Sequence, residues 1–148
     1  MVKNQFNVFS DDKENETDKL YVKNGGLMEE VPYTNGKKNG IDKEYDHLGK
    51  LLSETPYIDD SINGVAKMYY SSGNLLDEHT YFNNKLDGVS KGYYESGNLH
   101  WENSFIKGKI NGIEKEYYEN GKLKSETTYT NGVAESSKKY DENGNEIK

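Results

Sequence analysis

The side chains of this chain that could support catalysis or metal binding are its histidines and its many carboxylates. His47, His79 and His100 fall in a turn and at two unrelated strand positions, whereas a metal ion requires ligands that converge on one point. The serines lack the strand–turn–helix setting of a catalytic nucleophile. We therefore expect no catalytic residue, no metal site and no cofactor. A hydrolase would need a carboxylate pair with perturbed pKa values facing a pocket.

A repeat determines the elements that carry these side chains. Glycines recur at intervals of 24 residues, at Gly40, Gly64, Gly88 and Gly112. Counted from this glycine as position zero, lysine falls at position three, tyrosine at five, leucine at eleven, glutamate at fourteen, and tyrosine or phenylalanine at seventeen. A fixed period of this length indicates an array of one supersecondary unit.

The unit is predicted to be a β-hairpin, because apolar residues alternate with a period of two and Gly or Asn interrupts them about every seven residues. The expected fold class is all-β: an elongated antiparallel β-hairpin repeat array with about 24 residues per hairpin. Five full repeats and a half repeat would form a single curled or twisted meander sheet. Residues 1–15 are predicted to be an N-terminal cap or a partly ordered segment, and residues 16–148 the repeat domain.

Two turns per repeat follow from the spacing of glycine and asparagine. The first is a three-residue loop, a type I turn that ends in a left-handed glycine, at Gly49, Gly73, Gly97 and Gly121. This loop would pair the tyrosine before it with the leucine after it. The second is a two-residue type I′ turn such as Asn83-Asn84. The glycines that open the repeats are predicted to form one-residue β-bulges, and the last repeat, which is one residue shorter, to need none.

This register predicts that all odd-numbered positions of the repeat share one face of the sheet. In one repeat that face would carry Val89, Tyr93, Leu99 and Phe105 together with the lysine series. The glutamate series would lie on the opposite face: Glu30, Glu54, Glu78, Glu102 and Glu126. The aromatic side chains would then line one trough, either as a thin core or as a binding surface.

Trp101 departs from the repeat, because the equivalent positions hold Ser53, Asp77 and Ser125. Tryptophan is enriched at binding hot spots. The alternative is that Trp101 only fills the core. The predicted partner-binding patch consists of Trp101, His79, Tyr81, Tyr93, Phe105 and Tyr69.

The composition narrows the class of partner. The chain has 148 residues, a net charge of -7 and no cysteine. Nucleic acids and anionic membranes both select clustered Lys and Arg, so the acidic balance argues against either as the main partner. The start of the chain lacks the apolar segment of a signal peptide. We expect a cytoplasmic protein, or a secreted or surface protein if a signal peptide has been removed.

The repeat resembles the MORN repeat in its bacterial variant. The pattern Asn-Gly-Lys-Leu-x-Gly, Tyr-Tyr-x-x-Gly-x-Leu, Glu appears here as 83–88, 93–99 and Glu102, with Asn84 in place of the first glycine. The resemblance covers roughly residues 16–148. Bacterial chains of this kind are often assigned to the YwqK-type antitoxin family, which implies a binder that neutralises a partner protein.

Two functions follow from these observations. The first is a non-catalytic protein-interaction module, antitoxin- or immunity-like, that binds a partner protein through an aromatic trough. The second is a carbohydrate- or cell-surface-binding repeat protein, since rings along a trough suit the faces of sugars. Because an open sheet leaves edge strands that can pair, homo-oligomers through those edges are a further expectation.

Overall fold

The computed structural model describes residues 6–7 and 15–147, and within them the chain forms sixteen strands and no helix. Of the predicted N-terminal cap, most residues therefore lie outside the described ranges. The strands are β1 (Phe6–Asn7), β2 (Asn15–Tyr21), β3 (Leu27–Thr34), β4 (Lys37–Lys38), β5 (Gly40–Tyr45), β6 (Leu51–Ile58), β7 (Ser61–Ile62), β8 (Gly64–Tyr69), β9 (Leu75–Phe82), β10 (Lys85–Tyr93), β11 (Leu99–Ile106), β12 (Lys109–Ile110), β13 (Gly112–Tyr117), β14 (Leu123–Thr130), β15 (Val133–Tyr140) and β16 (Glu146–Ile147).

All sixteen strands belong to one antiparallel sheet that follows the chain order. The short strands β4, β7 and β12 pair only with the strand before them. The predicted all-β hairpin array is thus confirmed. With a single layer, few side chains can be fully enclosed, and Val31 is the one buried apolar side chain among the described residues.

Both predicted turns are confirmed. In the first loop the Gly73 N–H donates to the Tyr70 carbonyl at 2.8 Å, Gly73 has a positive φ, and Tyr69 pairs with Leu75. In the second loop Asn83 and Asn84 have φ values of 48° and 64°. These are the two left-handed residues that a type I′ turn requires, and that Asn adopts more readily than most residues.

The predicted distribution of residues over the two faces is wrong. Next to the first loop the pairing shifts by one residue, since Tyr69 faces Leu75 but Met68 faces Asp77. The residue at position twelve of the repeat, here Leu76, therefore forms a one-residue β-bulge. This shift places Lys67 directly opposite Glu78, so that the lysine and glutamate series share one face. Tyr81 and Phe105 lie on the other face, away from Tyr69 and Tyr93.

The predicted one-residue bulge at the start of each repeat is also wrong. Tyr81 pairs with Leu86 and His79 pairs with Ser90, so two extra residues are accommodated around Gly88. An even number leaves the alternation of faces unchanged. The last repeat, predicted to have no bulge, contains a one-residue bulge, because Tyr129 pairs with Ala134 and Thr128 with Ser136.

One face, here called the lysine–glutamate face, carries an uninterrupted row of alternating charges across the sheet. Each glutamate of the row pairs with one lysine on either side. The Nζ–Oε distance is 2.7 Å for Lys19–Glu30 and 3.7 Å for Lys91–Glu102. The row consists of Lys19, Glu30, Lys43, Glu54, Lys67, Glu78, Lys91, Glu102, Lys115, Glu126 and Lys138.

Tyrosines connect this row from one repeat to the next. The Tyr69 hydroxyl donates to Glu54 Oε2 at 2.7 Å, and the Tyr93 hydroxyl donates to Glu78 Oε1 at 3.0 Å. Burial, and then the hydrogen bond to Glu54, raise the pKa of Tyr69 to about 12. Burial, and then the hydrogen bond to Glu78, raise the pKa of Tyr93 to about 12. The folded state therefore favours the neutral phenols.

Further ladders run along both ends of the hairpins. At the first loops, the hydroxyls of Tyr70 and Tyr94 each donate at 2.7 Å to the carbonyl of the tyrosine 23 residues later. At the second loops, the Asn84 N–H donates to the Ile62 carbonyl at 3.0 Å. Each repeat is thus held to its neighbour at three levels, which compensates in part for the thin core.

We predict that Gly88→Ala destabilises the protein more than Gly112→Ala. Both glycines have a positive φ, 120° and 109°, so alanine is strained at either site. A Cβ at Gly88 would lie 2.9 Å from Thr80 Cγ2, whereas at Gly112 the nearest atom, Ser104 Cβ, is 3.6 Å away. We expect an extra loss of about 1 kcal/mol in the free energy of unfolding for Gly88→Ala, measured by urea denaturation. Equal losses would contradict the contact.

We predict that Tyr69→Phe weakens the alkaline dependence of stability. Because the folded pKa of Tyr69 is raised from 10.0 to about 12, its contribution is complete below pH 10 and is lost as the pH rises through 12. Unfolding free energies of Tyr69→Phe should therefore fall less steeply over that range than those of the wild type. Tyr117→Phe is the matched control, since Tyr45, Tyr69, Tyr93 and Tyr140 donate to a glutamate whereas the Tyr117 hydroxyl donates no hydrogen bond within residues 15–147. The same slope in both variants would contradict the prediction.

Candidate functional site

The opposite face, here called the tryptophan face, carries the side chains that could recognise a partner. One row of direct cross-strand neighbours crosses it from β2 to β15. Unlike the row on the lysine–glutamate face, it has no alternation of charge. It consists of Leu20, Glu29, Glu44, Ser53, Met68, Asp77, Gly92, Trp101, Glu116, Ser125 and Lys139.

The Trp101 indole lies over the backbone of Gly92, its direct partner on β10. A Cβ built on Gly92 would be 2.2 Å from Trp101 Nε1 and 2.3 Å from Cε2. No residue other than glycine leaves room for the ring in this position. The indole reaches towards β9, where the His79 ring lies 5.8 Å from it between centroids.

Four buried polar atoms in the neighbourhood of Trp101 have no hydrogen-bond partner: Asp77 Oδ1, His79 Nδ1, Ser90 Oγ and Asn103 Oδ1. Ser90 is fully buried and pairs with His79 on one side and with Asn103 on the other. Buried polar atoms without partners cost roughly 1–3 kcal/mol each. Their concentration at one place marks this region as unlike the rest of the sheet. We call the cluster of Asp77, His79, Ser90, Gly92, Trp101 and Asn103 the Trp101 patch.

The residues Asp77, His79 and Ser90 have the side-chain types of a catalytic triad but not its connections. The Asp77 Oδ1 to His79 Nε2 distance is 3.6 Å, and neither His79 Nδ1 nor Ser90 Oγ makes a hydrogen bond. A nucleophilic serine requires a hydrogen bond to its base and access to substrate. Ser90 has neither, since none of its surface is exposed.

Among the described residues, no group of three or more His, Asp and Glu side chains could hold a metal ion. Nor does any helix of the described chain have the length and apolar character to cross a membrane.

The structure places four of the six residues predicted for the partner-binding patch on one face. Trp101, His79, Tyr81 and Phe105 share the tryptophan face, and the His79 and Tyr81 rings are 6.5 Å apart. Tyr69 and Tyr93 lie on the lysine–glutamate face, where they bond to Glu54 and Glu78. They cannot contribute to the same patch, and the predicted common trough is wrong in this respect.

Gly92, Ser90 and Asn103 were missed by the sequence-based prediction of the patch. Gly92 carried a usable signal, because Glu44, Met68 and Glu116 occupy its position in the other repeats. A glycine that replaces larger residues one strand away from the single tryptophan is typical of a close contact between ring and backbone.

The tryptophan face is acidic in the strands that precede the Trp101 patch. Glu29 and Glu44 are direct cross-strand neighbours, and burial, followed by the charge of Asp42, raises the pKa of Glu29. Near the other end of the row, the Lys124 ammonium donates to Glu116 Oε1 at 2.6 Å and lowers the pKa of Glu116. The acidic half of the face is therefore the half that precedes Trp101 in the sheet.

We predict that Gly92→Ala displaces the Trp101 indole into water while the sheet remains intact. The new methyl group would occupy the position of the ring atoms. Because Trp101 is the single tryptophan, its fluorescence reports on the patch directly. We expect a red-shifted emission and stronger acrylamide quenching, with unchanged far-ultraviolet circular dichroism. Gly26→Ala, in the first hairpin loop, is the control and should leave the emission unaltered. An unshifted spectrum for Gly92→Ala would disprove the packing.

No curated protein matches the chain. Two solved structures are similar to part of it: a mutant of S. aureus TarM in complex with Fondaparinux, alpha-GlcNAc-glycerol and UDP, with 10% identity and a TM-score of 0.48, and TarM, with 11% identity and a TM-score of 0.47. Each alignment covers 74% of this chain and 21% of the other, and similarity at this level carries no functional argument.

The family model described as MORN repeat variant matches residues 38–59, 62–83, 86–105 and 110–131. The matched segments make up more than half of the chain and coincide with successive hairpins of the sheet. The preceding hairpin, β2 and β3, repeats their pairing with Tyr21 opposite Leu27. The chain therefore belongs to the MORN repeat variant family.

Proposed function

We propose that this protein is a non-catalytic interaction module that binds a partner protein through the Trp101 patch. The observation that carries the proposal is the indole over Gly92, beside polar atoms without partners. Large aromatic side chains at the centre of a surface supply much of the energy of protein–protein recognition. These polar atoms are buried, so the partly exposed indole is the group of the patch that a partner would contact directly.

The finer form of the proposal is an antitoxin- or immunity-like binder that acts in the cytoplasm. Such a protein neutralises its partner by occupying a surface, and a long rigid sheet with a recognition patch suits that task. It requires no reaction at the patch.

The lysine–glutamate face offers a competing surface. Apolar side chains form a stripe across it near the second loops, and Phe82 is 62% exposed. Exposed apolar patches can mark interaction sites. The stripe comprises Ile41, Ile58, Val65, Phe82, Val89, Ile106 and Ile113. Its members are apolar throughout, whereas the Trp101 patch combines a large ring with polar groups, which is the more usual composition of a hot spot.

We predict that Trp101→Ala abolishes binding of the partner while Phe82→Ala preserves it. Both variants replace one aromatic residue by alanine, on opposite faces. Candidate partners are proteins encoded by neighbouring genes, co-expressed with this chain and measured by isothermal titration calorimetry. We expect Trp101→Ala to weaken binding by about 2 kcal/mol or more, as for a hot-spot residue. The fluorescence of Trp101 in the wild type should change on binding.

Circular dichroism and urea denaturation of both variants serve as folding controls. Loss of binding in Phe82→Ala with retention in Trp101→Ala would assign the site to the apolar stripe instead. If protein candidates fail and oligosaccharides alter the Trp101 emission, the carbohydrate-binding alternative replaces the proposal.

A further inference from the structure

A cleft of ≈ 260 Å³ opens on the tryptophan face next to the Trp101 patch. Ala66 on β8, a small residue, leaves space above the sheet between Thr55 and His79. Ile62, Met68 and Tyr81 supply apolar walls, and His79 is shared with the Trp101 patch. Met68 is 48% exposed. The lining is mainly apolar and also includes Ser53, Thr55 and Lys67, the last of which belongs to the row on the lysine–glutamate face.

A carboxylate closes one side of this cleft. Glu44 lines it, and its Oε2 accepts a hydrogen bond from the Ser53 hydroxyl at 3.0 Å. Glu44 makes no ion pair within residues 15–147. Its direct neighbour on β3 is another carboxylate, Glu29. On the lysine–glutamate face, by contrast, every glutamate of the row has a lysine beside it.

The distribution of charge over this face selects a cationic occupant. The acidic strand residues of the face outnumber its lysines, which are Lys38, Lys124 and Lys139. The acidic residues are Glu16, Asp18, Glu29, Asp42, Glu44, Asp77, Glu114 and Glu116. Lys38 forms an ion pair with Asp42, with 2.9 Å between Nζ and Oδ2, and Lys124 forms an ion pair with Glu116. Neither compensates Glu44. A positive group placed at Glu44 would therefore meet a net negative field.

We propose that the cleft receives a lysine side chain from a basic segment of the partner, with the methylene groups along Met68, Ile62 and Tyr81 and the ammonium on Glu44. This inference rests on the proposed function and specifies the chemistry of its partner. A lysine stem gains from apolar contact while its ammonium forms a charge-assisted hydrogen bond.

The test uses a short capped peptide in which glycine and lysine alternate, titrated into the isotopically labelled full chain and followed by amide chemical shifts. We expect the largest shifts at Ser53, Ala66, Met68 and His79. Glu44→Gln should weaken binding about tenfold, the effect of one lost charge-assisted hydrogen bond. Met68→Ala should weaken it without a change in charge.

Glu95→Gln is the matched control, because it makes the same change of charge in an exposed hairpin loop and should bind as the wild type does. The same peptide with acetylated lysines should not bind. Equal weakening by Glu44→Gln and Glu95→Gln, or equal binding of the acetylated peptide, would overturn the proposal. If the natural partner depends on Trp101 but not on Glu44, the lysine site fails while the interaction function stands.

Discussion

The alternating row of lysines and glutamates is the interaction on which the register of the whole sheet depends. Every strand from β2 to β15, apart from the short second-loop strands, contributes one charge, and each glutamate sits between two lysines. Each pair contributes only a few tenths of a kcal/mol to about 1 kcal/mol. A slip of one residue would nonetheless break the alternation at that strand and turn its side chains to the wrong face. The row thus specifies alignment more than it adds stability.

The two faces consequently have different physical tasks. The lysine–glutamate face satisfies its own charges and binds each repeat to the next through tyrosine hydroxyls such as that of Tyr69. The tryptophan face compensates its charges only in part, through pairs such as Lys38–Asp42 and Lys124–Glu116. It holds the unpartnered polar atoms of the Trp101 patch and the unpaired carboxylate of Glu44. A single-layer sheet can carry this asymmetry because no second layer requires either face to be apolar.

Much of the architecture could be predicted from the residues. The 24-residue period indicated hairpins, glycine and asparagine identified both loop types, and the pairing of Tyr69 with Leu75 followed from the loop length. The candidate patch was predicted in part, since Trp101, His79, Tyr81 and Phe105 do share a face. Tyr69 and Tyr93 were wrongly predicted to lie on that face, because the prediction assumed continuous strand pairing beside the first loop, where the structure has a bulge.

The sequence by itself therefore determined the repeat, the strands and the turns, because these depend on local backbone preferences of Gly, Asn and β-forming residues. Only the tertiary structure decided which side chains share a face. That outcome depends on a one-residue bulge at position twelve, where the chain has Leu76, His100 or Lys124 with no common signature. It also depends on the bulge around Gly88, which contains two extra residues and not the one that was predicted. Because side chains alternate between the faces with a period of two, one inserted residue moves every following side chain of the strand to the opposite face. No local backbone preference in the sequence reveals whether such a residue is inserted.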